Sequence, residues 1–160
     1  MKIRILLPGK IKPKALAPAQ EEYIRRLGGF GVDVAEYKDE KVSSRSPEQT
    51  KEAEAQRILK LLKDGDYLVV CDERGKRIQT PELADLIRAA RRGEYPFAGK
   101  RRVVMVVGGA LGLADSVRQK ADAVWSLSSL VLAGGVARIV LLEGVYRAIT
   151  VVEGHPYHNE

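Results

Sequence analysis

The chain has 160 residues, 45% of them apolar and 30% charged, with a formal net charge of +6 and a pI near 9.5. That length suits one domain, residues 1–160, with a core of its own, and no apolar run approaches the ~20 residues that span a bilayer. A single cysteine, Cys71, excludes an internal disulfide, and no Cys/His grouping has the spacing of a zinc site, so a cytosolic (cytoplasmic) protein with no metal and no membrane association is expected.

Residues 2–7 form a first strand; their apolar run is too short for a secretion signal and lacks its cleavage pattern. Gly9-Lys10 turns the chain into a helix over residues 14–27, with Pro13 or Pro18 in its opening turn and Gly28-Gly29 as its stop. Val32–Tyr37 alternates as a second strand, and residues 38–45 are a polar, mobile loop. Ser46-Pro47-Glu48-Gln49 starts the next helix, with serine as N-cap, proline at N1 and glutamine at N3. That helix carries Ile58, Leu59, Leu61 and Leu62 and ends at Gly65.

Residues 67–71 make a buried strand, closed by a polar turn, Asp72-Glu73-Arg74-Gly75-Lys76. Thr80-Pro81-Glu82 opens a helix with Leu83, Leu86 and Ile87 inside and Gly93 at its end. Residues 103–107 are the central strand, residues 113–120 a short helix, residues 124–127 the last strand and residues 136–151 the final helix. This alternation predicts an α/β fold: a mostly parallel, five- to six-stranded sheet with helices on both faces. Ligands of such sheets lie beyond the carboxyl ends of the strands, where the turns after Cys71 and Val107 fall.

The final helix is too apolar to coat a solvent face, since Arg138, Glu143, Arg147 and Thr150 are its only strongly polar residues. In a chain this small, that favours a subunit interface. Cations cluster at Lys10, Lys12 and Lys14 and again at Arg88, Arg91, Arg92, Lys100, Arg101 and Arg102. Such clusters favour a polyanion but serve solubility equally well.

Gly108-Gly109-x-x-Gly112 follows a strand, yet a dinucleotide fingerprint needs glycine where Val107 stands, and no acidic residue follows at ribose-binding distance. The turn is open to a closely approaching ligand or to none. The Ser126–Ser129 hydroxyls have no neighbouring base, which sets serine-hydrolase chemistry aside. His155 and His158 stand alone as His-x-x-His, with no carboxylate set to complete a metal site.

The whole chain resembles the ribosomal RNA large-subunit methyltransferase H family, small members of the SPOUT (trefoil-knot) methyltransferases. The likeness rests on Gly9-Lys10, Glu22-Tyr23 with Arg25-Arg26, Asp72-Glu73-Arg74-Gly75-Lys76, and Val107-Gly108-Gly109-x-x-Gly112-Leu113. It continues through Trp125-Ser126-Leu127-Ser128, Arg138 to Glu143 and Tyr146-Arg147-Ala148, and the ending His155-Pro156-Tyr157-His158. The resemblance implies a C-terminal trefoil knot over about 103–155, a homodimer, and S-adenosyl-L-methionine bent into the knot. The cofactor would be held by Cys71, Asp72, Gly108, Gly109, Ser128, Ser129, Leu130, Val131, Leu132 and Ala133. The implied substrate is a pseudouridine in the helix 69 loop of 23S rRNA, methylated at N3 in the assembled 70S ribosome or large subunit.

Methyl transfer of this kind needs alignment and loss of the imide proton rather than a covalent nucleophile. His158 and Tyr157 are the candidates for the proton, and Arg138 and Arg147 for phosphate or charge. Two positions depart from the family pattern: Ala133-Gly134-Gly135 replaces a Pro-His-Pro-like turn, and Asn159 replaces an arginine. They leave a non-catalytic or retargeted ribosome-binding dimer as the alternative; a nucleotide-binding oxidoreductase is disfavoured by the glycine spacing.

Overall fold

The computed structural model describes residues 2–40 and 46–157. Five strands form one wholly parallel sheet: β1 (Lys2–Pro8), β2 (Val32–Tyr37), β3 (Asp66–Arg77), β4 (Arg102–Val107) and β5 (Ala123–Ser126), in the order β2-β1-β4-β3-β5. The helices are α1 (Ala17–Gly28, after a 3-10 turn at Lys14–Leu16), α2 (Pro47–Leu61), α3 (Thr80–Arg92), α4 (Asp115–Gln119) and α5 (Gly134–Val152).

Alternation along the strands divides the core in two. Ile3, Ile5, Leu7, Val69, Val103 and Met105 pack with α1, α3 and α5, whereas Leu6, Leu68, Val70, Val104 and Val106 pack with α2 and α4. The crossovers that run towards β2 thus use one face and those that run towards β5 use the other. All four share one hand, as parallel crossovers do.

Several elements form for the local reasons seen in the sequence. Ser46 accepts the Gln49 N–H and the Gln49 side chain accepts the Ser46 N–H, completing a capping box on α2. Gly93 takes the left-handed conformation that ends α3. Three expectations need correction. The second helix stops at Leu61 rather than Gly65, because the Asp66 carboxylate captures the Lys63 N–H at 2.9 Å. The fourth helix is only Asp115–Gln119, because Leu113 is held back under Gly108: a β-carbon there would lie 2.9 Å from Leu113 Cγ.

The third correction concerns the polar turn after Cys71, which does not end its strand. β3 bulges out at residues 72–75 and re-enters the sheet, so that Cys71 and Lys76 both pair with Trp125 of β5. Gly75 makes this possible, because a β-carbon there would stand 2.7 Å from the Val124 and Trp125 backbone. Sequence alternation carries no sign of such a double pairing. The expected loop over residues 38–45 is described only to residue 40.

Candidate functional site

The parallel sheet sends the carboxyl ends of β4, β3 and β5 to one edge as neighbours, and a cleft of about 360 Å³ opens there. Its size falls in the range of small-molecule sites. Eight residues expected to hold a cofactor line it: Cys71, Asp72, Gly108, Gly109, Ser128, Leu130, Val131 and Leu132. Ser129 lines a shallower recess beside it, with Glu73 and Arg77, and Ala133 caps α5 between two lining residues. The expected cofactor set left out Glu73, Arg74, Val107, Ala110, Leu111, Gly112, Leu113, Ser126, Leu127, Gly134 and Ala137, which also line the cleft, although the turns after Cys71 and Val107 were expected to face a ligand. Flanking position was the available signal for most of them; Ala137 lies one turn into α5.

The walls are fixed from outside. Tyr37 donates its phenol hydrogen to the Val107 carbonyl at 2.9 Å, holding the end of β4 where the glycine turn begins. Burial, and then the nearby Glu54 carboxylate, push that phenol far above its ordinary pKa. Asp72 is gripped by Arg74 at 2.8 Å and Arg118 at 3.1 Å, and Arg118 also donates to the Leu113 carbonyl at 3.1 Å. One guanidinium thereby ties α4 to the β3 bulge and to the far end of the glycine turn. Cys71 is an inert neighbour: burial alone raises its thiol to about 12.

The glycines of the turn serve the protein first. Gly108 leaves room for Gly112 and Leu113, and Gly109 for the carboxylate of Glu54 on α2. Their backbone is what the cleft offers to a ligand. Leu130 and Val131, 74% and 83% exposed, give the rim an apolar edge.

The residues expected to act on substrate lie elsewhere. Arg138 is 4% exposed on the inner side of α5, donating to the Gly9 carbonyl at 3.0 Å and to Gln20 at 3.2 Å. It braces the loop after β1. Arg147 and Tyr157 do meet. Arg147 bonds Glu143 at 2.8 Å and lies 5.0 Å over the Tyr157 ring, and Tyr157 stacks edge-on against Tyr146 at 4.8 Å. The Tyr157 hydroxyl meets that of Tyr23 at 3.3 Å and donates to Glu143 at 3.4 Å. The Tyr23 hydrogen bond, aided by burial, raises the Tyr157 phenol to about 12. Arg26 lies near all three tyrosine rings. This cluster does not line the cleft: Glu143 is nine residues, about 14 Å of helix, from Gly134. His158 and Asn159 lie outside the described residues.

Among the described residues, no group of three or more His, Cys, Asp or Glu side chains is placed to hold a metal, and no helix is long and apolar enough to cross a membrane.

Comparison with known proteins agrees along the whole chain. The family described as "Predicted SPOUT methyltransferase" matches residues 1–158. Ribosomal RNA large subunit methyltransferase H of Methylobacillus flagellatus is 41% identical, covering 100% of both chains. The protein of that name from Geotalea daltonii is 38% identical over 99% of this chain and 100% of its own. That from Acetivibrio thermocellus is 36% identical, again over 99% and 100%.

Proposed function

This chain belongs to the SPOUT methyltransferase family, and from that premise we propose that it moves a methyl group from S-adenosylmethionine to large-subunit ribosomal RNA. One observation carries the reading: eight residues from three separate stretches, expected to hold that donor, converge on one cleft at the carboxyl edge of the sheet. The donor set fits the group. Backbone at Gly108 and Gly109 can take polar edges, and the rim leucines and valine an adenine face. When bound, the donor supplies a methyl carbon on a cationic sulfur, open to in-line attack. The finer reading is N3-methylation of a pseudouridine in helix 69 of 23S rRNA, in the assembled 70S ribosome or large subunit, with the C-terminal segment threaded as a knot.

The protein's own part is alignment, charge and removal of the imide proton. With its pKa raised to about 12, the Tyr157 phenol keeps its proton at neutral pH and serves as a hydrogen-bond donor. The base is then His158, and Arg147 faces the phosphate or the developing charge. A homodimer is part of this proposal. The outer side of α5, along Val136, Val140, Gly144 and Val151, stays partly exposed after α1 and α3 have covered the other side. A second copy packed there can also bring its tail to a cleft that this chain's Tyr157 does not line.

RNA docking falls chiefly to Lys10, Lys12 and Lys14. Arg88, Arg91, Arg92, Lys100 and Arg102 are each already paired with an acid, whereas no ion pair within 4.0 Å is found for Arg101 or the three lysines among the described residues. Methyl transfer from tritiated donor to ribosomes, large subunits and naked 23S rRNA from cells lacking the protein tests the whole reading. Label in helix 69 of assembled particles supports it. Tight donor binding with no label on any RNA would establish the alternative, a binding or retargeted dimer.

A further inference from the structure

Behind the glycine turn lies a carboxylate that the chemistry above does not use. Glu54 is 5% exposed, and its Oε1 accepts the Glu40 N–H at 2.9 Å. A β-carbon at Gly109 would stand 2.5 Å from its Oε2 and 2.7 Å from its Oε1, so the carboxylate fills the space that any side chain at 109 would need. Gly109 also lines the cleft and Glu54 does not. A single thickness of backbone therefore separates a buried carboxylate from the ligand space.

The charges around it do not cancel. Asp39 and Glu40 add negative charge, and Arg57 is the cation acting on Glu54, itself paired with Glu40. Of the carboxylates that line the cleft, Asp72 is offset by two guanidinium groups and Glu73 is exposed to solvent, which screens it. In a partly desolvated site, an uncompensated charge one residue away acts on a ligand far more strongly than it would through water.

We propose that Glu54 is a positioning residue that seats the Gly108–Gly112 turn and gives the cleft a preference for a cationic ligand over a neutral one of the same shape. The proposal rests on the cleft being the methyl-donor site. There it would favour the sulfonium donor over S-adenosylhomocysteine, whose sulfur is neutral, and so favour exchange of product for fresh donor.

The two halves are tested separately. Calorimetric titration at pH 8.5, chosen because burial pushes the Glu54 carboxyl above its ordinary range, compares wild type with Glu54→Gln. Donor affinity should fall about fivefold or more while S-adenosylhomocysteine affinity stays within about twofold, on the scale of one screened charge pair. Equal losses for both ligands, or none, would overturn the charge preference. Glu54→Asp, which keeps the charge, should keep the preference. Seating is read without ligand, by thermal unfolding. Gly109→Ala should lower the midpoint by roughly 5 °C in the wild-type background and by much less in a Glu54→Ala background. Additive losses would overturn the contact. Wild-type protein that binds neither ligand would refute the donor reading and with it the charge preference, leaving the unfolding cycle to decide the seating alone.

Discussion

Tyr157 shows how one side chain can be assigned by its partners. Its phenol is raised to about 12, first through the Tyr23 hydroxyl and then through burial. A folded-state pKa above the unfolded value of about 10 gives stability that is complete below pH 10 and lost as pH rises towards 12. With Cys71→Ala in place, to remove the buried thiol's own loss of stability from about pH 8.5 upward, thermal midpoints should be level from pH 7 to 9 and decline above 10, and Tyr23→Phe should bring the Tyr157 ultraviolet titration back towards 10. A decline already present at pH 8 would contradict the assignment. Thr50 makes the opposite case. Its Oγ1 is buried with no hydrogen-bond partner among the described residues, so Thr50→Val should stabilise the protein, by about 1 kcal/mol in a denaturant titration.

Among the elements, the β3 bulge decides whether the cleft exists. Gly75 lies against the Trp125 backbone, which has no flexible end to move aside. Gly75→Ala should therefore cost about 2–3 kcal/mol and weaken donor binding in parallel, seen by denaturant titration and calorimetry. The lysine loop belongs to the same scale. Gly135 touches the Lys12 carbonyl so closely that any β-carbon there would collide with it, which lays the loop along the start of α5 beside the cleft. Replacing Lys10, Lys12 and Lys14 with glutamine should flatten the plot of log affinity for RNA against log salt by about 2 to 3. Neutralising Arg88, Arg91 and Arg92 should change it less.

Elements show where the sequence was legible. The Ser46 capping box, the Gly93 stop and the span Val32–Tyr37 were readable because each is set by neighbours in the chain. The bulge was not, because what closes it is Trp125, some fifty residues on. Eight of the ten residues named through the family resemblance fall on the cleft. Glu54 was not legible, since an acid on a polar helix looks like any solvated residue until the fold buries it. Arg138 was noticed, but only its neighbours Gly9 and Gln20 show it to be a brace.

At the scale of the molecule, the proposed dimer makes a sharp demand of α5. Val136, 41% exposed, continues the apolar rim of Leu130 and Val131 onto the helix. Val136→Asp should leave the far-ultraviolet spectrum and the sheet intact, yield a monomer in sedimentation velocity, and abolish methyl transfer. A monomer as active as wild type would remove the partner from the mechanism.

The strand order has a consequence for how the protein comes into being. β1, made first, lies between β2 and β4; β3 is flanked by β4 and by β5, made last. No growing chain that stops short of Trp125 can close the bulge, and none that stops short of Gly134 has the last wall. A nascent chain leaving the ribosome thus carries no complete cleft until some five-sixths of it has been translated. On the proposed reading of that cleft, synthesis and loading are separate events, and a truncated product is blind to the metabolite rather than partly active.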